Sequence, residues 1–448
     1  MNEGAALAAG TVGATSGSRE EAGAHLEGVG PAAILRAGEG RPRGLWSDQR
    51  GWSAWFGEAA VLAASGPDRF RIIREAARTL APGPGARLFG GFAFHDAGDP
   101  VPRWEGFPAA RFVLPAVEAR GRGNGALLTV RAFDGEDPEL RLREVEAAIR
   151  RASGAADNGA GAGASGRARA EPPADGRGER HDGWNATVRA ALEEIAGGRL
   201  EKVVLARALD LPWAATSPVD VATRLRHDEP DAHTFLFEPI PGRAFLGAAP
   251  ESIAEVAGGV LRTTAVAGSA PRGATAGEDA ALADALLASA KDRAEQALVV
   301  RDVAHRLAAL VDDLDVESGP HLIRFASIQH LETVLSGRLR PGVDILSVLE
   351  ALHPTPAVGG EPRAAALDFI RRAEGFRRGW YAGPVGWFEP GGDGGFAPGL
   401  RSALHCREDG WRLFAGAGIV QGSEPEKEWA ETAVKLEPVL AALRRARG

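Results

Sequence analysis

The chain has 448 residues, is 44% hydrophobic and 25% charged, and carries a formal charge of −8, the balance of a globular protein with ample length for a large core. That acidic balance argues against a broad nucleic-acid surface, and no apolar run approaches the ~18 residues of a membrane span. One cysteine, Cys406, excludes an intrachain disulfide framework or a cysteine-rich metal site, and an acidic N-terminus without a basic start does not read as a signal peptide, so a cytoplasmic enzyme is the default expectation.

Residues 1–30 are rich in Ala, Gly, Ser and Glu without a sustained period and read as a disordered tail. Over 31–152, short apolar runs such as ARLFGGFAFHD and ARFVLPAVEA, separated by Gly and Pro, predict strands and turns. A helical stretch, PELRLREVEAAIRRA, closes this region. Residues 153–180 hold no large apolar side chain and read as a flexible linker or surface insertion. The region 181–448 carries the chemistry.

There, Asn185 is placed to cap the helix ATVRAALEEIA, which Gly197 and Gly198 end. LEKVVLARALDL is apolar on both faces, so it predicts a buried strand. Strands are expected at 234–238, 243–247 and 252–256, then one long helix over about 278–311. Helices at 344–352 and 361–374 precede strands at 383–388, 400–406 and 411–414. A final helix runs over about 424–445. Clustered strands with helices between them predict an α/β fold of the α+β type.

The composition is skewed in one respect. The chain has four lysines, Lys202, Lys291, Lys427 and Lys435, against 48 arginines (52 − 4). A lysine retained in such a chain points to a place where arginine fails, because only lysine can shed its proton when buried and act as a base.

Ser423 and Glu426 form a candidate capping box for the last helix. Within it Glu428 and Glu431 are spaced i, i+3 and Lys435 is i+4 from Glu431, so the three share a face. Two carboxylates one turn apart suit Mg²⁺; a solvated, ion-paired face fits the same spacing. Asp292 and Glu295 in KDRAEQALVV repeat the pattern and leave the same alternatives. GAGIVQG (416–422) lacks the third glycine of a dinucleotide fingerprint. A glycine-rich turn before a helix still offers backbone N–H groups to a carboxylate. Lys202, in an otherwise apolar strand, is a candidate general base, and Glu251, after Pro250, a candidate general acid; a salt-bridge partner and a turn residue are the plainer readings of each.

Together EKVVLARAL (201–209), FLGAAPES (245–252), VAGSAPRG (266–273), LLASAKDRAE (286–295), SIQHLET (327–333), LHPTPAVGGEPR (352–363), GWYAGPVGW (379–387) and FAGAGIVQGSEPEKEWAETAVK (414–435) resemble the chorismate-utilising enzymes. The resemblance spans about 183–441 and implies a large sandwich of mainly antiparallel sheets flanked by helices. It is closest to isochorismate synthases. Lys202 stands where the family places the base that activates water. Ala267 precedes Gly268 where aminodeoxychorismate synthases carry a nucleophilic lysine. Ala357 and Val358 stand where anthranilate and salicylate synthases tend to have threonine.

The resemblance implies a Mg²⁺-dependent conversion of chorismate to isochorismate, by water attack at C2 and loss of the C4 hydroxyl. Lys202 would be the base and Glu251 the acid. Glu295 and Glu431 would hold the metal, with Glu428 and Asp292 completing the metal site through waters. Gly268 and Ser269 would assist at the ring carboxylate. Arg401, Lys435, Tyr381 and a turn at Gly416 and Gly418 would meet the enolpyruvyl carboxylate. His330 would contact the leaving hydroxyl, and Ala357 would line the substrate. No obligatory amidotransferase subunit is expected. Salicylate synthase is the nearest alternative and anthranilate synthase component I a more distant one. Ala249 and Ser252 depart from the family pattern around the Pro-Glu pair.

Overall fold

In the computed structural model, residues 11–14, 20–97, 101–123, 125–133, 135–154, 177–178, 181–325 and 328–447 are described. Every strand pairing among them is antiparallel, and the chain is α+β with helices against a very large sheet.

The pairing path explains how the site is built. It begins at Lys202–Leu211, next to Gly410–Val420, then runs through Ser402–Cys406, Arg243–Ala249, His233–Ile240 and Arg43–Asp48. It continues through Gly51–Ala64, Ala110–Arg122, Leu88–Phe92, Pro384–Phe388, Gly394–Pro398, Ala254–Ala257 and Val260–Pro271 to Ile328–Leu339. Four strands of 31–152 therefore sit as one block in the middle of the path, between strands of 181–448. The right-handed twist of successive strands curls so long a sheet back on itself. The two ends of the path come to face one cleft, which carries Lys202 from one end and Gly268 and His330 from the other.

The core follows the alternation of apolar residues. Trp46, Trp55 and Phe89 from the first half pack in one cluster with Leu205, Phe235, Phe245 and Trp380 from the second. Trp55 stacks on Phe89 at 4.2 Å, and Trp380 meets Phe107 edge to face at 5.2 Å. Such aromatic pairs add about 0.5–1.5 kcal/mol each beyond the area that they bury.

Several local expectations need correction. Within the expected tail, Glu20–Glu27 is a strand paired along its length with Gly125–Ala132; alternate residues Ala22 and Leu26 are buried, a period-2 signal masked by flanking Glu and Gly. Residues 1–10 and 15–19 lie outside the described residues, as do 155–176 and 179–180 of the expected linker. Asn185 does not cap its helix, which starts a turn earlier at His181–Ala196; it donates instead to Glu426 Oε1 at 2.8 Å. Glu426 also takes His181 at 2.6 Å, so it is spent between helices and not on a capping box. The helix expected over 278–311 is two, Ala276–Ala288 and Ala290–Leu307, broken at Ser289. Ser289 caps the second by accepting from Asp292 N at 3.2 Å. Finally, the glycines at 416 and 418 lie inside the Gly410–Val420 strand, opposite Ala206 and Val204, and not in a turn.

Candidate active site

One cleft, of about 860 Å³ including its open mouth, gathers Lys202, Glu251, Gly268, Ser269, Glu295, His330, Ala357, Tyr381, Arg401, Gly416, Gly418, Glu428, Glu431 and Lys435. Every residue singled out from the sequence as a site residue lines it. Lys291, Asp292, Val358, Arg378 and Phe414 line it as well.

Lys202 opens the Lys202–Leu211 strand with a side chain only 1% exposed, and its Nζ lies 2.7 Å from Glu295 Oε1. Glycine at 418 makes room for that pair. A Cβ there would sit 2.6 Å from Glu295 Oε1 and 3.1 Å from Lys202 Cε. The glycines of GAGIV thus serve close approach within a strand, a use of Gly distinct from turn formation.

Glu251 follows the Arg243–Ala249 strand. Burial pushes its carboxyl up to about 7, against the opposing pull of Arg401, Lys435 and Lys202, and with a smaller push from Glu332. It therefore holds a proton near neutrality, the state that a general acid requires.

Arg401 precedes the Ser402–Cys406 strand with φ +45°, left-handed backbone that costs a non-glycine residue about 1–3 kcal/mol. Its carbonyl is held by Ala248 N at 3.2 Å. Its guanidinium is buried and donates to His330 Nε2 at 3.2 Å. A guanidinium can only donate, so Nε2 accepts and the ring proton belongs on Nδ1. That nitrogen lies 2.9 Å from Ser269 Oγ and 3.3 Å from the Gly268 carbonyl. Burial, together with the charges of Arg401 and Lys435, holds the imidazole well below its ordinary range and therefore neutral. Both ring nitrogens are engaged by protein groups.

Gly268 sits at a bulge where the register shifts between Ala267 and Ser269. Its φ is +77°, and a Cβ would approach Asp292 Cβ to 3.0 Å. Tyr381 stacks on Phe414 at 5.0 Å, and burial pushes its phenol upward. Lys435 Nζ donates to the Gly416 carbonyl at 3.0 Å and pairs with Glu431 at 2.5 Å.

Three carboxylates are each held by a lysine: Glu295 by Lys202, Glu428 by Lys291 at 3.0 Å, and Glu431 by Lys435. Burial and the neighbouring Glu431 raise Glu428. Burial opposes ionisation of Glu431 too, yet Lys435, with Lys291 and Arg401, holds it below the usual carboxylate range. Among the described residues no three His, Cys, Asp or Glu side chains stand close enough together to hold an ion as they are. The donor set is nonetheless all oxygen, as a hard divalent cation prefers. With Glu251 protonated, the cleft lining carries five basic residues (Lys202, Lys291, Arg378, Arg401, Lys435) against four carboxylates (Asp292, Glu295, Glu428, Glu431). Such a balance leaves little net attraction for a dianion, and a divalent cation would supply it. The residues fit a metal ion whose arrival displaces lysine contacts.

Sequence reasoning missed Arg378. It is 1% exposed and donates to the carbonyls of Val358 at 3.0 Å and Val204 at 2.8 Å. Its partner Glu374 accepts from Ala206 N at 2.8 Å. The pair ties the 352–363 loop to the Lys202 strand. One arginine among 48 carries no compositional signal. The rarity of lysine singles out Lys291 in the sequence without giving it a role.

Residues 25–444 match the family model described as chorismate binding enzyme. The chain is 41% identical over 409 residues to the "Salicylate biosynthesis isochorismate synthase" of Pseudomonas aeruginosa, covering 87% of this chain and 82% of that protein. It is 34% identical to "Isochorismate synthase MenF" of Bacillus subtilis, over 80% of this chain and 75% of that one. Among solved structures, the menaquinone-specific isochorismate synthase MenF from Escherichia coli superposes with a TM-score of 0.76 at 27% identity, covering 96% of this chain and 95% of that one. Anthranilate synthase component I from Streptococcus pneumoniae shares the fold, with a TM-score of 0.65 at 18% identity over 98% of this chain and 94% of that one.

Proposed function

The chain belongs to the chorismate-binding enzyme family, and from that premise we propose how its cleft carries out the isochorismate synthase reaction. The enzyme is an isomerase that converts chorismate to isochorismate. The observation that carries the mechanism is the pairing, in one cleft, of a buried lysine amine with a carboxyl whose proton is retained to about pH 7.

Lys202, acting as the neutral amine, takes a proton from water as its oxygen attacks C2 of the ring. The ring double bond shifts, and the C4–O bond breaks. Glu251 gives its proton to the departing C4 hydroxyl, which leaves as water. Hydroxide alone is a poor leaving group, so the acid matters as much as the base, each contributing roughly 10²–10⁴-fold. Arg401 and Lys435 bind the enolpyruvyl carboxylate, and Tyr381 borders that end. His330, neutral and bonded to Arg401, orients the guanidinium. Ser269 and the Gly268 bulge shape the ring-carboxylate end, and Ala357 leaves room beside the ring.

Enzymes of this family use a divalent metal, which we take to be Mg²⁺ held by Glu295, Glu428 and Glu431, with Asp292 beside them. When bound, it would neutralise and fix the ring carboxylate. No helix among the described residues is long and apolar enough to cross a membrane. The substrate is a small molecule, and we propose that the chain acts without an amidotransferase subunit, since the attacking group is water.

Incubation of the purified chain with chorismate and Mg²⁺, followed by product chromatography, tests this. Isochorismate that persists is the expected product. Salicylate with stoichiometric pyruvate and no lasting isochorismate would instead make the chain a salicylate synthase. Turnover that survives removal of divalent ions would remove the metal from the scheme.

A further inference from the structure

Among the described residues, arginine makes most of the ion pairs. Lysine appears in pairs at four places among the described residues, and three of them lie in the cleft. Lys202 and Lys435 have roles in the proposed reaction, whereas Lys291 has none. Its position also lacks a local reason. Lys291 is the second residue of the Ala290–Leu307 helix, after the Ser289 cap. A cation in a first turn opposes the helix dipole. Its Nζ reaches across to Glu428 Oε1 at 3.0 Å, in the first turn of the Pro425–Arg447 helix. The lysine side chain is 40% exposed at the cleft mouth, while Glu428 is 3% exposed. One partner can swing into water and the other cannot.

The residue type fits an exchangeable contact. An ammonium is a point charge on a flexible stem, whereas an arginine fork would clamp both carboxylate oxygens. Without any counter-ion, buried Glu428 would stand beside Glu431 uncompensated, and removing one partner of a buried pair is strongly destabilising.

Resting on the reading that Glu295, Glu428 and Glu431 hold a divalent cation, we infer that Lys291 is a displaceable internal counter-ion: its ammonium occupies Glu428 while the cation is absent and swings outward when the cation binds. Lys291 thereby keeps the metal-free cleft folded and weakens metal binding, because the incoming cation must break the Lys291–Glu428 contact and approach a like charge. The metal is accordingly held loosely enough to exchange.

The test is titration calorimetry of Mg²⁺ into the metal-free full chain, without chorismate. The variants are Lys291→Met, Lys291→Gln and Lys291→Arg, with the exposed Lys427→Met as control. Lys291→Met and Lys291→Gln are expected to tighten the Mg²⁺ dissociation constant by about tenfold, the scale of one partly screened charge. They should also enlarge the rise in melting temperature on adding Mg²⁺. Lys291→Arg should weaken binding, and Lys427→Met should match the wild type. A damaged fold would loosen binding, so the sign separates the two causes. Unchanged or weaker binding in both Lys291→Met and Lys291→Gln, with the wild type still binding, overturns the inference alone. No saturable Mg²⁺ binding by the wild type overturns the metal reading and this inference with it.

Discussion

Replacing Glu251 with glutamine removes the proposed acid with almost no change of shape, and it should move activity and stability in opposite directions. The ordinary carboxyl value of 4.5 is raised to about 7 by burial. Between those two values the folded chain keeps a proton that the unfolded chain has lost. The folded state therefore binds more protons, and stability falls as pH rises through this window. At 1.36 kcal/mol per pH unit, the interval of about 2.5 amounts to an upper limit of about 3 kcal/mol, fully lost above pH 7. Glutamine cannot ionise, so Glu251→Gln should remove that loss. Urea unfolding at pH 5 and pH 8 should show the variant gaining about 2–3 kcal/mol relative to the wild type at the higher pH. Isochorismate formation, followed by chromatography, should drop by roughly 10²–10⁴-fold. The wild-type kcat/KM should decline above about pH 7 as the acid ionises. A variant within tenfold of wild-type turnover, or one with the same pH slope of stability, would refute the assignment of a retained proton to Glu251.

Lys202→Ala should lower isochorismate formation by roughly 10²–10⁴-fold while chorismate still binds, as measured by equilibrium titration; turnover within tenfold of wild type would take Lys202 out of the base role. Gly418→Ala places a methyl 2.6 Å from Glu295 Oε1 and 3.1 Å from Lys202 Cε, which must spread that pair. A misplacement of about 1 Å can reduce the rate by about 10²-fold, so turnover should fall by that order with the circular dichroism spectrum unchanged, and undiminished turnover would show that the pair does not need its present spacing.

Much of the chain's business was legible in the sequence because it is local. The Lys202 strand, the Pro-Glu after Arg243–Ala249 and the Glu428–Glu431–Lys435 face rest on periodicity and spacing that short segments express by themselves. The scarcity of lysine marked three of the cleft's basic side chains. Other readings failed where a residue's meaning lies in its neighbours. The glycines at 416 and 418 look like turn residues, but they are strand residues kept small by Tyr381, Lys202 and Glu295 approaching from elsewhere. Glu426 resembles a capping-box partner until His181 and Asn185 claim it from another helix. Ser289 breaks a helix whose pattern reads through it, because its side chain caps the Ala290–Leu307 helix.

The amino-acid order by itself determined the strand and helix character of most segments, the family and the chemical kinds of group available for a reaction. Only the tertiary structure decided that Lys291 meets Glu428, that Arg378 ties the 352–363 loop to the Lys202 strand, and that Glu251 keeps its proton. The reason is physical: periodicity reports which way a side chain points from its own backbone, whereas desolvation and charge pairing depend on atoms brought within a few ångströms by a sheet whose two ends lie more than a hundred residues apart in the chain but face one cleft.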